Sequence, residues 1–84
     1  MNRPDIYAAI DAERLVQAAK WNRPHAWGWG DCSSESIDWT TKAAVLGEEC
    51  GEVARAVLEA DPTALRTELV QVAAVAVAWL EALV

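Results

Sequence analysis

The dipeptide Asp61-Pro62 narrows the possible folds more than any other feature of the chain. Before it, Trp39, Ala43, Leu46, Cys50, Val53 and Val57 step by four and three, a helical stripe. After it, Leu65, Leu69, Val72, Ala76, Trp79 and Leu83 repeat the spacing. Aspartate caps a helix N-terminus and proline fits the first helical position, so a new helix starts here. A link this short leaves an antiparallel hairpin, with helices over about 37–60 and 62–83. Ser36 and Asp38 are the candidate caps of its first helix.

Upstream, Pro4 to Trp21 reads as another helix, with Ile6, Ile10 and Leu15 on an imperfect apolar face. Asn22, Arg23 and Pro24 stop it. Residues 22–36 form a long loop carrying His25, Trp27 and Trp29. Such loops are functional or disordered, and disorder is poor in aromatic rings. The tryptophans either clamp the loop to the helices or form a lid that stacks on a planar ligand.

The expectation is therefore all-α, a single domain over residues 1–84. Of its residues, 54% are hydrophobic, more than three helices alone can hide. Val70, Ala73, Val77 and Leu80 turn away from the last helix's main stripe, leaving it apolar nearly all round. Both observations predict a homo-oligomeric helical bundle.

A net charge of −6 argues against duplex nucleic acid, whose binding rests on basic residues. A phosphorylated ligand remains possible where a divalent cation bridges the two sets of charge. The charged N-terminal segment lacks a signal-peptide core. The longest nearly uncharged run, Leu69 to Leu80, is too short to cross a bilayer. The expected setting is cytoplasmic, with no membrane partner.

Glu48, Glu49 and Glu52 crowd into one helical turn. On a wheel zeroed at Leu46 they fall at about 200°, 300° and 240°. Glu49 and Glu52 thus share an arc bordered by Val45 and Ala56, while Glu48 sits beside Arg55. Ala44, Gly47, Gly51 and Ala54 form another face. Two mid-helix glycines, each costing about 1 kcal/mol relative to alanine, suggest close approach of another helix. In the last helix Glu68 lies near the apolar seam, one turn from Gln71. A carboxylate there must be paired, protonated or metal-bound. Lys42 is placed to neutralise the cluster only partly. Oxygen donors suit Mg²⁺ or Mn²⁺. The competing reading is a merely solvated acidic face.

The segment EECGE, Glu48 to Glu52, resembles the EExxE motif of the MazG-like all-α nucleotide pyrophosphohydrolases. Glu68-Leu69-Val70-Gln71 stands where that family carries ExxD. Upstream, Gln17, Lys20, Trp21 and His25 resemble a Q-x-x-K-W…H segment of its short members. The resemblance implies an oligomeric helical bundle that binds Mg²⁺ through the acidic residues. It implies hydrolysis of a nucleoside triphosphate to monophosphate and pyrophosphate, a nucleotide house-cleaning reaction. Carried over, Glu49, Glu52 and Glu68 are the expected metal ligands, with Glu48 and Gln71 as weaker members. Glu49 or Glu52 would also activate the attacking water. From chemistry alone, Lys20, Lys42 or Arg55 suit phosphate oxygens, and Trp21, His25 or Trp27 suit a base. Gln71 departs from the family's aspartate, and larger members continue past the position of Val84. Both departures favour the alternative, a catalytically degenerate oligomerisation or nucleotide-sensing module. A zinc site from His25, Cys32 and Cys50 is a third reading.

Overall fold

Each helix starts where a short polar side chain takes up its free backbone amides. The computed structural model describes residues 1–83, so Val84, the last residue of the expected hairpin, lies outside the described residues. Helix α1 spans Arg3–Lys20, and Asn2 Oδ1 accepts from the Asp5 amide at 2.9 Å. Helix α2 spans Trp39–Leu58, and Asp38 Oδ1 accepts from the Thr41 amide at 2.7 Å. Helix α3 spans Pro62–Leu83, and Asp61 Oδ1 accepts from the Ala64 amide at 3.0 Å. Such caps contribute about 1 kcal/mol each. Of the two candidate caps of α2, Asp38 is the one used. Ile37 precedes it and is buried.

Helix α3 packs against both α1 and α2, whereas α1 and α2 do not pack on each other. The chain is therefore a wedge, open between its outer helices. Its core is made of small side chains, including Ala74, Val75 and Ala78 on α3, Ala56 on α2, and Cys32 and Ile37 ahead of α2. Val45 and Leu46 pack over Cys32, Val75 and Ala78. A helix gripped from two sides needs small residues where its neighbours approach, and α3 offers its alanines there.

This arrangement corrects the expected seams. On α2 only Leu46 and Val53 of the expected stripe are even half-buried, while Trp39, Ala43, Cys50 and Val57 are exposed. The buried face is rotated toward Lys42, Leu46, Glu49 and Ala56. On α3, Leu69 and Leu83 point outward. Gly47 and Gly51 meet no neighbouring atom within 4 Å of a built Cβ, so no helix of this chain approaches them.

Within the loop, β1 (Pro24–His25) and β2 (Gly28–Trp29) form a minimal antiparallel hairpin, pairing Pro24 with Trp29 and His25 with Gly28. Gly28 has φ +138°, and a Cβ there would lie 3.1 Å from Ile37 Cγ1. Only glycine combines that backbone with that approach. The rings of Trp21, His25 and Trp27 pack together, with centroids 4.7–5.5 Å apart. Part of the ring set does clamp the loop.

Candidate functional site

The wedge between α1 and α2 is a cleft of about 520 Å³, floored by α3 and closed at one end by the loop. Helix α1 supplies Glu13, Gln17 and Lys20, one helical face at spacings of four and three. The loop side supplies Trp21, Trp27 and Asp31, and α2 supplies Glu48 and Glu49. Gln71 and Val75 come from α3. One cavity thus joins the acidic residues to two indole rings.

Glu49 and Glu68 meet at Gln71. In the amide orientation that pairs donor with acceptor, Gln71 Nε2 donates to Glu68 Oε2 at 2.9 Å and to Glu49 Oε2 at 3.2 Å. Burial raises the Glu49 pKa above its usual value, and the charges of Glu68, Glu48, Glu52 and Glu13 raise it further. Glu49 therefore holds its proton more tightly than a free carboxylate, and anything cationic entering the cleft relieves it.

The remaining expected residues divide clearly. Glu48 is exposed on the cleft wall. Glu52 is half-buried outside the cleft lining and acts on Glu49 through its charge. Lys20 lines the cleft, its Nζ 5.2 Å from the Trp21 ring centroid. Lys42 does not line it; only 2% exposed, it is the most buried large side chain. Arg55 lies exposed outside the cleft lining. His25 turns its Nε2 to the Gly30 carbonyl at 2.7 Å, while its buried Nδ1 has no hydrogen-bond partner. That carbonyl fixes the proton on Nε2, so His25 anchors the loop.

The cysteines are apart in kind. Cys32 is buried in the core and Cys50 is exposed on α2. Burial and the neighbouring Asp31 raise the Cys32 thiol pKa. Among the described residues, no three His, Cys, Asp or Glu side chains are gathered to hold a metal by themselves. An oxygen site here needs the Gln71 amide, water or ligand oxygens to complete it.

Two features escaped the sequence reading. Glu13 lines the cleft from α1 and contributes to the Glu49 shift. Its spacing with Gln17 and Lys20 was the available signal. The second is Arg14, which donates through Nη1 to Asp31 Oδ2 at 2.8 Å and through Nη2 to Glu81 Oε2 at 3.0 Å. It ties α1, the loop and the end of α3 together. Burial opposes the Asp31 charge, but hydrogen bonds from Ser33 and Arg14 prevail and lower its pKa.

No family model, curated protein or solved structure matches the chain.

Proposed function

We propose that the chain is a Mg²⁺-dependent nucleoside triphosphate pyrophosphohydrolase that acts as an oligomeric helical bundle. The supporting observation is the cleft that Glu49 and Gln71 line together with the rings of Trp21 and Trp27, with Glu68, outside the cleft lining, meeting Glu49 at the Gln71 amide.

The donor set fits a hard cation. Magnesium uses one or two carboxylates and takes its remaining oxygens from water and phosphate. Glu49 and Glu68 supply the carboxylates. If the Gln71 amide turns over, its oxygen takes the place of the nitrogen between them. Glu49, Glu68 and the Gln71 oxygen would then hold the ion between them, with water and phosphate supplying its other oxygens. When bound, the ion would offset the triphosphate's charge and the charge developing at the scissile phosphate.

The chain's own residues do the rest. Trp21 and Trp27 present apolar surface to a base, and Lys20 beside Trp21 offers a cation to a phosphate oxygen. Glu49 is the proposed general base, since it lines the cleft and keeps one carboxylate oxygen turned away from Gln71 to accept a proton. Water's oxygen forms a bond to the α-phosphorus, its proton passes to Glu49, and the α–β bridging bond breaks to release pyrophosphate. Glu52 keeps Glu49 basic through its charge.

The test is pyrophosphate release from a panel of ordinary and modified nucleoside triphosphates, comparing wild type with Glu49→Gln and Glu52→Gln. Turnover by wild type, reduced at least about 100-fold in Glu49→Gln, is expected; equal turnover by both would sink the assignment. One observation favours a second reading. Gln71 satisfies Glu49 and Glu68 without any cation, as suits a nucleotide-binding module that does not turn over. Nucleotide binding with no pyrophosphate release would select it.

A further inference from the structure

We infer that the cleft continues into a second groove, between α1 and α3, where Arg66 binds the β- and γ-phosphates of the substrate. The inference rests on the proposed function and adds to it a residue that reads the length of the phosphate chain.

The second groove, of about 350 Å³, is lined by Ala9, Ala12 and Val16 on α1 and by Arg66, Thr67 and Val70 on α3. Glu13 and Val16 line both cavities. On a wheel zeroed at Glu13, the α1 residues of the cleft span about 300° to 40°, and Ala9 lies at about 320°. One flank of α1 therefore serves cleft and groove, with Glu13 at the neck between them.

The order of groups along this path matches the order of groups in a nucleotide. On α1 the path leads from Trp21 and Lys20 through Gln17 to Glu13 and then Ala9. On α3 it leads from Val75 through Gln71 to Thr67 and Arg66. Indole rings stand at one end, the Glu49–Gln71 contact in the middle and a guanidinium at the other. A base at the tryptophans, with its α-phosphorus at Glu49, sends its β- and γ-phosphates onward past Glu13. From Gln71 to Arg66 is about 7 Å of helix, a gap that the phosphate chain and an arginine side chain close together.

Arg66 is the cation free to meet them. Arg14 is committed to Asp31 and Glu81, while Lys20 and Arg23 lie over the Trp21 ring, each 5.2 Å from its centroid. Arg66 is exposed, and among the described residues no carboxylate forms an ion pair with it. The adjacent Thr67 hydroxyl already donates to the Thr63 carbonyl at 3.2 Å, so it has no proton to offer. The groove's alanine and valine side chains have none either. A guanidinium presents a fork of N–H donors that two oxygens of one phosphate accept together. A nucleoside diphosphate ends one phosphate short of the full chain, so Arg66 favours the triphosphate.

The test compares wild type with Arg66→Gln and Arg66→Lys, with circular dichroism verifying that each stays helical. Steady-state kinetics use the best triphosphate of the panel and its diphosphate. Calorimetric titration uses magnesium pyrophosphate and, separately, the nucleoside monophosphate. Arg66→Gln should lose about 10- to 100-fold in kcat/KM on the triphosphate and much less on the diphosphate. It should bind pyrophosphate more weakly by a similar factor and the monophosphate as wild type does. Arg66→Lys should recover part of each loss. Unchanged triphosphate turnover in Arg66→Gln, or equal losses on triphosphate and diphosphate, would overturn the inference and leave the proposed function standing. If wild type turns over no triphosphate, the proposed function falls and calorimetry decides the groove. Pyrophosphate binding that Arg66→Gln weakens would keep it as a phosphate site; binding absent or unaltered would overturn it. If Arg66→Gln unfolds, Thr67→Glu, which adds a negative charge at an exposed neighbour, should weaken pyrophosphate binding and decides instead.

Discussion

Glu49 on α2 and Glu68 on α3 aim one oxygen each at the same amide group, that of Gln71. Two carboxylates so close repel unless something between them donates. The chain therefore carries a neutral clamp where a bound cation would otherwise be needed.

Gln71→Asp replaces that clamp with a third negative charge. Hydrogen bonds to charged groups contribute roughly 1.5–3 kcal/mol each, so the metal-free variant should lose about 2 kcal/mol or more. Its Tm should fall by on the order of 10 °C. Saturating Mg²⁺ should restore more stability to the variant than to wild type, because binding stabilises only the folded state. Thermal melts with and without Mg²⁺ check both. A variant as stable as wild type without metal would mean that the amide does not hold the pair.

The pH dependence of the metal-free protein follows from Glu49. Its folded pKa is raised by burial and by four neighbouring carboxylates. The folded chain thus binds this proton more tightly than the unfolded chain. Stability then falls as pH rises from the ordinary glutamate range through the folded value, and the loss is complete above it. Glu49→Gln should flatten that descent and make the metal-free protein more stable at about pH 7. Urea unfolding across this range gives the answer, and a slope unchanged by the substitution would contradict it.

How much of this was legible in the residues differs by feature. Asp61-Pro62 and Asp38 marked helix starts because capping is local, decided within four residues. The meeting of Glu49 and Glu68 was visible because a hairpin fixes which turns oppose each other, but Glu52, expected to converge with them, stands outside the cleft lining and Gln71 lies between the two instead. The orientation of the helices was not. Helix α3 is apolar on two faces, and only the placement of α1 decides that Ala74 and Ala78 go inside while Leu69 and Leu83 stay out. Trp39 and Cys50 were misplaced for the same reason. Glu13 and Arg14 were missed because their partners lie in distant segments, and no periodicity reports a contact across 67 positions.

Arg14 makes a prediction of opposite pH sign. Its guanidinium joins Asp31, whose side chain is 7% exposed, to Glu81. Removing one member of a buried pair leaves the other charge uncompensated, at a cost of about 3 kcal/mol. Arg14→Met should therefore lower Tm by on the order of 15 °C. Asp31 has a lowered folded pKa, so its stabilisation is present above the ordinary aspartate range and is lost as pH falls through the folded value. The loss of stability as pH falls through the aspartate range should be shallower in Arg14→Met, because the folded Asp31 value moves back toward the ordinary one. Equal slopes for the two proteins would show that the Arg14 bonds do not set the Asp31 charge.

The turn between α2 and α3 holds a strained residue that can be relieved. Ala60 has φ +50°, a left-handed backbone in a residue with a Cβ. It occupies the position after the α2 cap, where the Asp61 amide donates to the Ala56 carbonyl at 3.1 Å and the Ala60 amide to the Val57 carbonyl at 3.1 Å. This two-bond closure usually carries glycine, because a Cβ there costs about 1 kcal/mol or more. Ala60→Gly should remove that cost while losing somewhat less through the freer unfolded chain. The expected gain is about 0.5–1 kcal/mol, or a rise in Tm of roughly 3–6 °C. Ala60→Val should move it the other way, since a β-branched side chain tolerates this backbone worse. Thermal unfolding of the three proteins tests the pair. A glycine variant no more stable than wild type would show that the hairpin's turn carries no such strain.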